Sequence, residues 1–299
     1  MYANGQLQLG VHLTVLSRRP DIFALKMPHL ANHASISLIQ GDVRSFTFPE
    51  GEFPFVIHAA TAASAKLNQE DPLLVFDTIL AGTQRTLEFA RTHGTRKLLF
   101  TSSGAVYGQQ PPDLAHVPED YAGAPDAMQP GSAYGEGKRA AEMLCSLYAS
   151  QFGFEAKISR CFAFVGPHLP LNAHFAIGNF IRDALQGGPI RVSGDGTAYR
   201  SYLYAADLAV WLWTILLKGS PVRPYNSGSD AALSIAELAN LVKQLLLPGG
   251  EVVIAQQAQP GQLPARYVPS TERALCELGL KTWVSLPDAI RRTAAWYAS

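Results

Sequence analysis

The chain has 299 residues, 47% hydrophobic and 16% charged, with 24 basic residues against 24 acidic ones. Such a length bounds the architecture to one α/β domain, or a large domain with a smaller lobe, and the balanced charge excludes a disordered chain and a nucleic-acid partner. The three cysteines, Cys145, Cys161 and Cys276, are scattered and form no C-x-x-C pair, so neither a disulfide framework nor a metal site is expected, and a reducing cytoplasm fits. Apolar runs of strand length recur at "HLTVL" (12 to 16), "ISLIQ" (36 to 40), "FVIHAA" (55 to 60) and "KLLFTSS" (97 to 103). Before the last of these, Leu73, Phe76, Leu80 and Leu87 recur at near-helical spacing and Gly94 supplies a stop. This alternation predicts a parallel sheet with crossover helices.

Further along, the pattern predicts a helix over about 135 to 151, a strand at "EAKISRCFAF", a helix over about 174 to 186 and a short strand "IRVSG". "LAVWLWTILL" (208 to 217) is too short to cross a bilayer and reads as a buried helix that starts near Ala206, so no membrane partner is expected. Pro- and Gly-rich pieces follow, with helical patterns at 234 to 247 and 285 to 298. The expectation is a sheet domain over 1–165 and a smaller substrate lobe over 166–299, with segments around 189–218 returning to the sheet. Ligands of open parallel sheets sit beyond the carboxyl ends of the strands, where the loops at 109 to 131 and 166 to 174 are expected to rim a cleft.

Two features carry chemistry. "SAYGEGKRAAE" places Tyr134 and Lys138 on one face of a helix start. A phenol, with a pKa near ~10, serves as acid or base at neutral pH when a cation steadies its phenolate, and Lys138 is placed to do so. Upstream, a buried strand ends in Thr101, Ser102 and Ser103, at the edge where sites of parallel sheets are built.

With these motifs the sequence resembles the extended short-chain dehydrogenase/reductase family, in its NAD-dependent nucleotide-sugar epimerase and dehydratase branch. The resemblance runs through "QGDV", "VIHAAT", "AGTQRTLEFA", "TSSGAVYG", "SAYGEGK", "SRCFAFVGP", "GDGTAYRSYLYAADLA" and "YNSGS". It implies a Rossmann-like doubly wound parallel sheet with a smaller mixed α/β lobe. It also implies hydride transfer to or from a sugar carbon, with Tyr134 as acid/base, Lys138 as the residue that lowers its pKa and holds the nicotinamide ribose, and Ser103 as the hydroxyl orienting the reacting oxygen. NAD or NADP is the implied cofactor. Asp42 and Val43 would meet the adenine, Ala59, Ala60 and Thr61 the pyrophosphate and ribose, and Cys161 and Phe162 the nicotinamide side. Arg200 would pair with the substrate diphosphate, Asn172 and His174 lie where the nucleotide is met, and Asp207 would cap the following helix. A homodimer through the helix near 73 to 93 and the Tyr-Lys helix is also implied.

Several positions depart from the family pattern. The Asp-Glu pair of dehydratases is Gly104 and Ala105 here, which disfavours a dehydratase and favours an epimerase or 4-ketoreductase. The asparagine often found after R-x-F is Ala163, and an Arg-x-Gly-Asp element appears as "QPGQ", with Arg266 as a candidate compensation. No Gly-x-x-Gly-x-x-Gly loop precedes the first strand, and "YANGQLQLG" resembles the tail of a first helix. The sequence reading therefore expects the first strand and glycine loop to be encoded upstream of Met1, and sets against this a non-catalytic member that keeps only the sugar-nucleotide cleft. Arg18 and Arg19 follow the second family strand, where arginine suits the 2'-phosphate of NADP.

Overall fold

The structure is a computed structural model that describes residues 8–61, 65–173 and 175–298. Strand β1 (Leu13–Ser17) leads through the short helices α1 (Pro20–Lys26) and α2 (Pro28–Ala31) to β2 (Ile36–Gln40). Both helices open on a proline, whose fixed φ and missing N–H suit a first turn. Then come β3 (Phe55–His58), α3 (Ala65–Glu70), α4 (Pro72–Thr92), β4 (Lys97–Ser103), α5 (Ala133–Phe152), β5 (Glu155–Cys161), β6 (Phe164–Val165), α6 (Ala176–Leu185) and β7 (Ile190–Val192). The chain continues with β8 (Tyr199–Arg200), β9 (Leu203–Tyr204), α7 (Ala205–Lys218), β10 (Pro224–Ser227), β11 (Leu233–Ser234) and α8 (Ile235–Leu246). It ends with β12 (Val252–Ile254), β13 (Arg266–Tyr267), α9 (Glu272–Leu278) and α10 (Leu286–Ala298).

Four parallel strands in the order β10-β5-β4-β3 form the main sheet. The period-2 alternation of β4 explains why both faces are covered. Leu98 and Phe100 point into a core with Val75, Ile79 and Leu87 of α4 and Ala141 and Cys145 of α5. Leu99 points to the other side, against Trp211, Ile215 and Leu216 of α7. Asp71 starts α4 by accepting a hydrogen bond from Leu74 N at 3.0 Å, and Gly94 beyond its end takes the left-handed φ of 68° that the expected stop requires. A further core gathers Ile177, Phe180 and Ile181 of α6, Leu238 and Val242 of α8 and Ile290 of α10.

β1 and β2 form a two-stranded parallel ladder of their own, with Leu13 opposite Ile36. Among the described residues no strand pairs with the second edge of β1 or of β3, and Leu13, Phe55 and Ile57 there are exposed. Most of the expected helix tail over 2 to 10 lies outside the described residues, as does His174; residues 8–12 take no regular structure. Asp207 corrects a sequence expectation. Its buried carboxylate does not cap α7 but accepts from Trp283 N at 2.9 Å and Val284 N at 3.0 Å, pinning the approach to α10.

His58 ends β3 fully inside the fold, with Nε2 3.0 Å from Thr83 Oγ1 of α4. Burial, and secondarily the charge of Lys138, pushes its pKa down to about 3, so the imidazole is neutral when folded. A depressed folded-state pKa gives stability that is complete above the ordinary value near 6.5 and lost as pH falls towards 3. Urea denaturation between pH 7 and pH 4 should therefore show a steeper loss of midpoint for the wild-type protein than for His58→Gln.

Candidate active site

β4 delivers its three hydroxyls to different tasks. Thr101 Oγ1 donates to His58 O at 3.1 Å, and Ser102 Oγ donates to Glu142 at 2.6 Å on the helix side. Ser103 faces the turn that follows (Gly104–Tyr107), where its Oγ accepts from Ala105 N at 3.1 Å. Helix α5 brings Tyr134 and Lys138 over the same strand end. Lys138 is 1% exposed and donates from Nζ to Thr101 O at 2.8 Å, 4.7 Å from the Phe100 ring centroid and 5.9 Å from that of Tyr134. Ser103, Tyr134 and Lys138 are thus brought together.

Their electrostatics differ from expectation. Burial raises the pKa of Tyr134 above the ordinary phenol value, against the opposing pull of its hydrogen bond with Ser103. Burial likewise pushes Lys138 down to about 8. Desolvation is the larger influence on each group, and the ammonium is aimed at the Thr101 carbonyl. At neutral pH the phenol keeps its proton.

The residues expected to meet the cofactor fall into two sets. Ala59, Ala60 and Thr61 follow β3 at its carboxyl end, the two alanines exposed, and Thr61 Oγ1 is buried with no hydrogen-bond partner among the described residues. An orphaned buried hydroxyl beside small, open residues, together with a lysine that uses one of its three donors, is a donor set that fits a nucleotide cofactor. Phe162 is buried and Cys161 half-buried, its thiol raised by burial and 3.5 Å from Ser159 Oγ. Asp42, by contrast, is engaged: Arg44 binds its carboxylate through Nε at 2.9 Å and Nη2 at 3.1 Å and extends to Asp77 at 2.8 Å. Val43 packs against Gly82, where an added Cβ would come within 2.7 Å of its Cγ1. Arg18 is exposed and makes no ion pair among the described residues, whereas Arg19 is paired with Asp21 at 2.8 Å.

On the substrate side, Arg200 of β8 donates to Tyr199 O at 2.7 Å and is half-buried. Asn172 is exposed and accepts from Arg182 Nη1 at 3.3 Å. Arg266 is not a spare cation, because its Nε donates to Pro112 O at 3.0 Å and its guanidinium lies 4.4 Å from the Tyr199 ring centroid.

The profile of the NAD dependent epimerase/dehydratase family matches residues 4–228. The chain belongs to this family. It is 32% identical over 269 residues to UDP-glucuronic acid decarboxylase 1 of Xenopus tropicalis, an alignment that covers 90% of the chain and 62% of the frog protein. The chain therefore spans less than two thirds of that relative's length. UDP-glucose 4-epimerase of Thermus thermophilus, solved in complex with NAD, superposes with a TM-score of 0.78 at 25% identity, covering 98% of the chain and 93% of the epimerase. UDP-glucuronic acid 4-epimerase of Bacillus cereus, in complex with UDP-glucuronic acid and NAD, shares the fold with a TM-score of 0.80 at 20% identity, covering 96% and 91%. Family membership accords with the expected Rossmann-like α/β fold and with NAD or NADP as the cofactor class. It also widens the expected chemistry. With decarboxylases among the relatives, an epimerase or 4-ketoreductase alone is too narrow, and dehydratase or decarboxylase chemistry is not disfavoured.

In this family member, sequence reasoning missed the largely buried ion pair behind the catalytic candidates. Glu142, one turn beyond Lys138, takes Arg160 of β5 in a two-pronged bond, at 3.0 Å from Nε and 2.7 Å from Nη2. Arg160 also donates to Glu119 O at 3.1 Å and lies over the Tyr107 ring, while Tyr107 Oη donates to Asn226 at 2.7 Å. The signal in the sequence was a glutamate at helical spacing from Lys138 and an arginine near the carboxyl end of a sheet strand. Breaking a buried pair leaves a charge uncompensated, at a cost of about 3–5 kcal/mol. Glu142→Ala should lower the stability measured in urea by about 3 kcal/mol or more, with Arg160→Ala adding little in the double variant.

Proposed function

We propose that the protein acts on a nucleotide sugar, a uridine diphosphate sugar in the first instance, by NAD(P)-dependent oxidation and reduction at a sugar carbon, with Tyr134 as the acid/base. The observation that carries this reading is the convergence of the Tyr134 phenol and the Ser103 hydroxyl above the buried ammonium of Lys138. When bound, the nicotinamide cofactor supplies the hydride acceptor and donor. Thr61 and Lys138 offer donors to it, and Cys161 and Phe162 line its nicotinamide side. Ser103 holds the reacting oxygen. Tyr134 removes its proton as the hydroxyl becomes a ketone and returns the proton on reduction. A phenol raised by burial favours the second role at neutral pH, so the oxidising direction gains with rising pH.

UDP-glucuronic acid is the first substrate to test, because relatives named for its decarboxylation and a structural neighbour named for its 4-epimerisation both share features with this chain. A ketone at C4 of that sugar is β to the carboxylate, so loss of carbon dioxide becomes available. Reduction before that loss gives the epimer and reduction after it gives the pentose. Gly104 and Ala105 bring no carboxylate to the sugar, so on this reading the hydroxyls of Ser103 and Tyr134 serve either outcome. Arg200 is assigned to the diphosphate and Asn172 to the nucleotide side. Exposed Leu73, Met143 and Leu147 on α4 and α5 support a homodimer through those helices. No helix among the described residues is long and apolar enough to cross a membrane.

Proton NMR of the protein incubated with NAD or NADP and UDP-glucuronic acid, UDP-glucose and the corresponding dTDP, GDP and CDP sugars tests the reading. Conversion of at least one sugar is expected, and none with any cofactor refutes it. Tyr134→Phe should lower kcat by about 100-fold or more while leaving the affinity for the nucleotide sugar within about twofold by calorimetry.

A further inference from the structure

Gly104 follows Ser103 directly, and the space in front of it is already filled. A Cβ at that position would lie 2.7 Å from Cε1 and Cζ of Phe162 and 2.8 Å from Oη of Tyr267. The hydroxyl of Tyr267 thus occupies the volume into which a side chain on residue 104 would extend. It arrives from far along the chain: β13 pairs in parallel with β8, setting Tyr267 opposite Arg200. The Tyr267 ring is held against Phe162, centroids 4.7 Å apart, with the Arg200 guanidinium 6.0 Å from its own centroid.

The phenol is poorly satisfied where it sits. Its one hydrogen-bond contact among the described residues is Ser103 Oγ at 3.5 Å, the outer limit for a hydroxyl pair. Burial keeps it protonated, and it lies close enough to Tyr134 for the two phenols to interact electrostatically. The hydroxyl of this half-buried residue, with one long contact, has donor capacity left for an oxygen that enters beside Ser103.

We propose that Tyr267 is a substrate-binding hydroxyl that donates to the oxygen on the sugar carbon addressed by Ser103 and Tyr134, from the place that a side chain on residue 104 would otherwise fill. The inference deepens the nucleotide-sugar reading and rests on it. The residue that meets the sugar is then carried on the strand next to the arginine assigned to the diphosphate, so both ends of the ligand are gripped by one pair of strands.

Calorimetric titration of the full chain with UDP, UDP-glucose and UDP-glucuronic acid tests this. Tyr267→Phe keeps the ring against Phe162 and should weaken both UDP-sugars about five- to tenfold, the range of one neutral hydrogen bond, with UDP unchanged. Tyr267→Met, unbranched and adaptable in packing, is the second variant should the first fail to fold, and the same split is expected of it. In the double variant with Ser103→Ala the losses should fall short of their sum, since both hydroxyls address one oxygen. Undiminished binding of UDP-sugars by the variants, or an equal loss for UDP, overturns the assignment while leaving the nucleotide-sugar reading intact. A wild-type protein that binds neither UDP-sugar more tightly than UDP overturns the uridine diphosphate sugar reading, and Tyr267 with it.

Discussion

A lysine ammonium sealed inside the protein, with one hydrogen bond to the carbonyl of Thr101, is the constraint on which the rest of the site depends. Desolvation pushes its pKa down to about 8 against the smaller opposing pull of Cys161, Cys145 and Glu142, so the group holds its charge only if its surroundings are arranged to tolerate it. Helix α5 has to lie almost against β4 and α4 for Lys138 to reach that carbonyl, and the glycines on either side of its neighbour permit it. A Cβ on Gly135 would stand 2.8 Å from Ala105 O, and one on Gly137 would stand 3.2 Å from Ile79 Cδ1. The close packing that buries the lysine also lowers Tyr134 onto Ser103.

Charge is distributed around this point in a consistent way. The carboxylates nearest the site are turned away from it: Glu142 is held by Arg160 and Ser102, and Glu119 receives Asn226 N at 2.9 Å. Among the described residues, the carboxyl end of β4 is met by the Lys138 ammonium and by the hydroxyls of Ser103, Tyr134 and Tyr267. Such a set suits movement of a proton between an alcohol and a ketone, with Tyr134 giving up and taking back the proton beside a fixed cation.

Elements with strong periodicity were legible in the sequence. The four strands from Leu13 to Ser103 follow from their apolar runs, and the helices around Phe76, Cys145 and Trp211 from apolar spacing on the faces they bury against the sheet. Ser103, Tyr134 and Lys138 were legible too, since a strand end and a helix start are local features. The short helices at Pro20 and Pro28 were not, having no buried residue to mark a face.

Residues whose role is fixed by a partner far along the chain were illegible or misread. Asp207 looked like a local helix cap and instead holds two amides at Trp283 and Val284. A nearer case is the ion pair of Asp42 with Arg44, two residues on, whose geometry depends on the turn after β2 and which apolar spacing does not reveal. Tyr267 lies 164 residues from Ser103 and nothing in its neighbourhood signals a site. Only the pairing of β13 with β8 gives it a direction, and only the missing side chain of Gly104 gives it room. Gly104 is therefore read incompletely when it is read as the loss of an acid: the same vacancy admits a neutral hydroxyl from elsewhere in the fold. A side chain at 104 and a hydroxyl at 267 exclude each other physically, so the chemistry at this corner of the site is set by the pair and by neither residue alone.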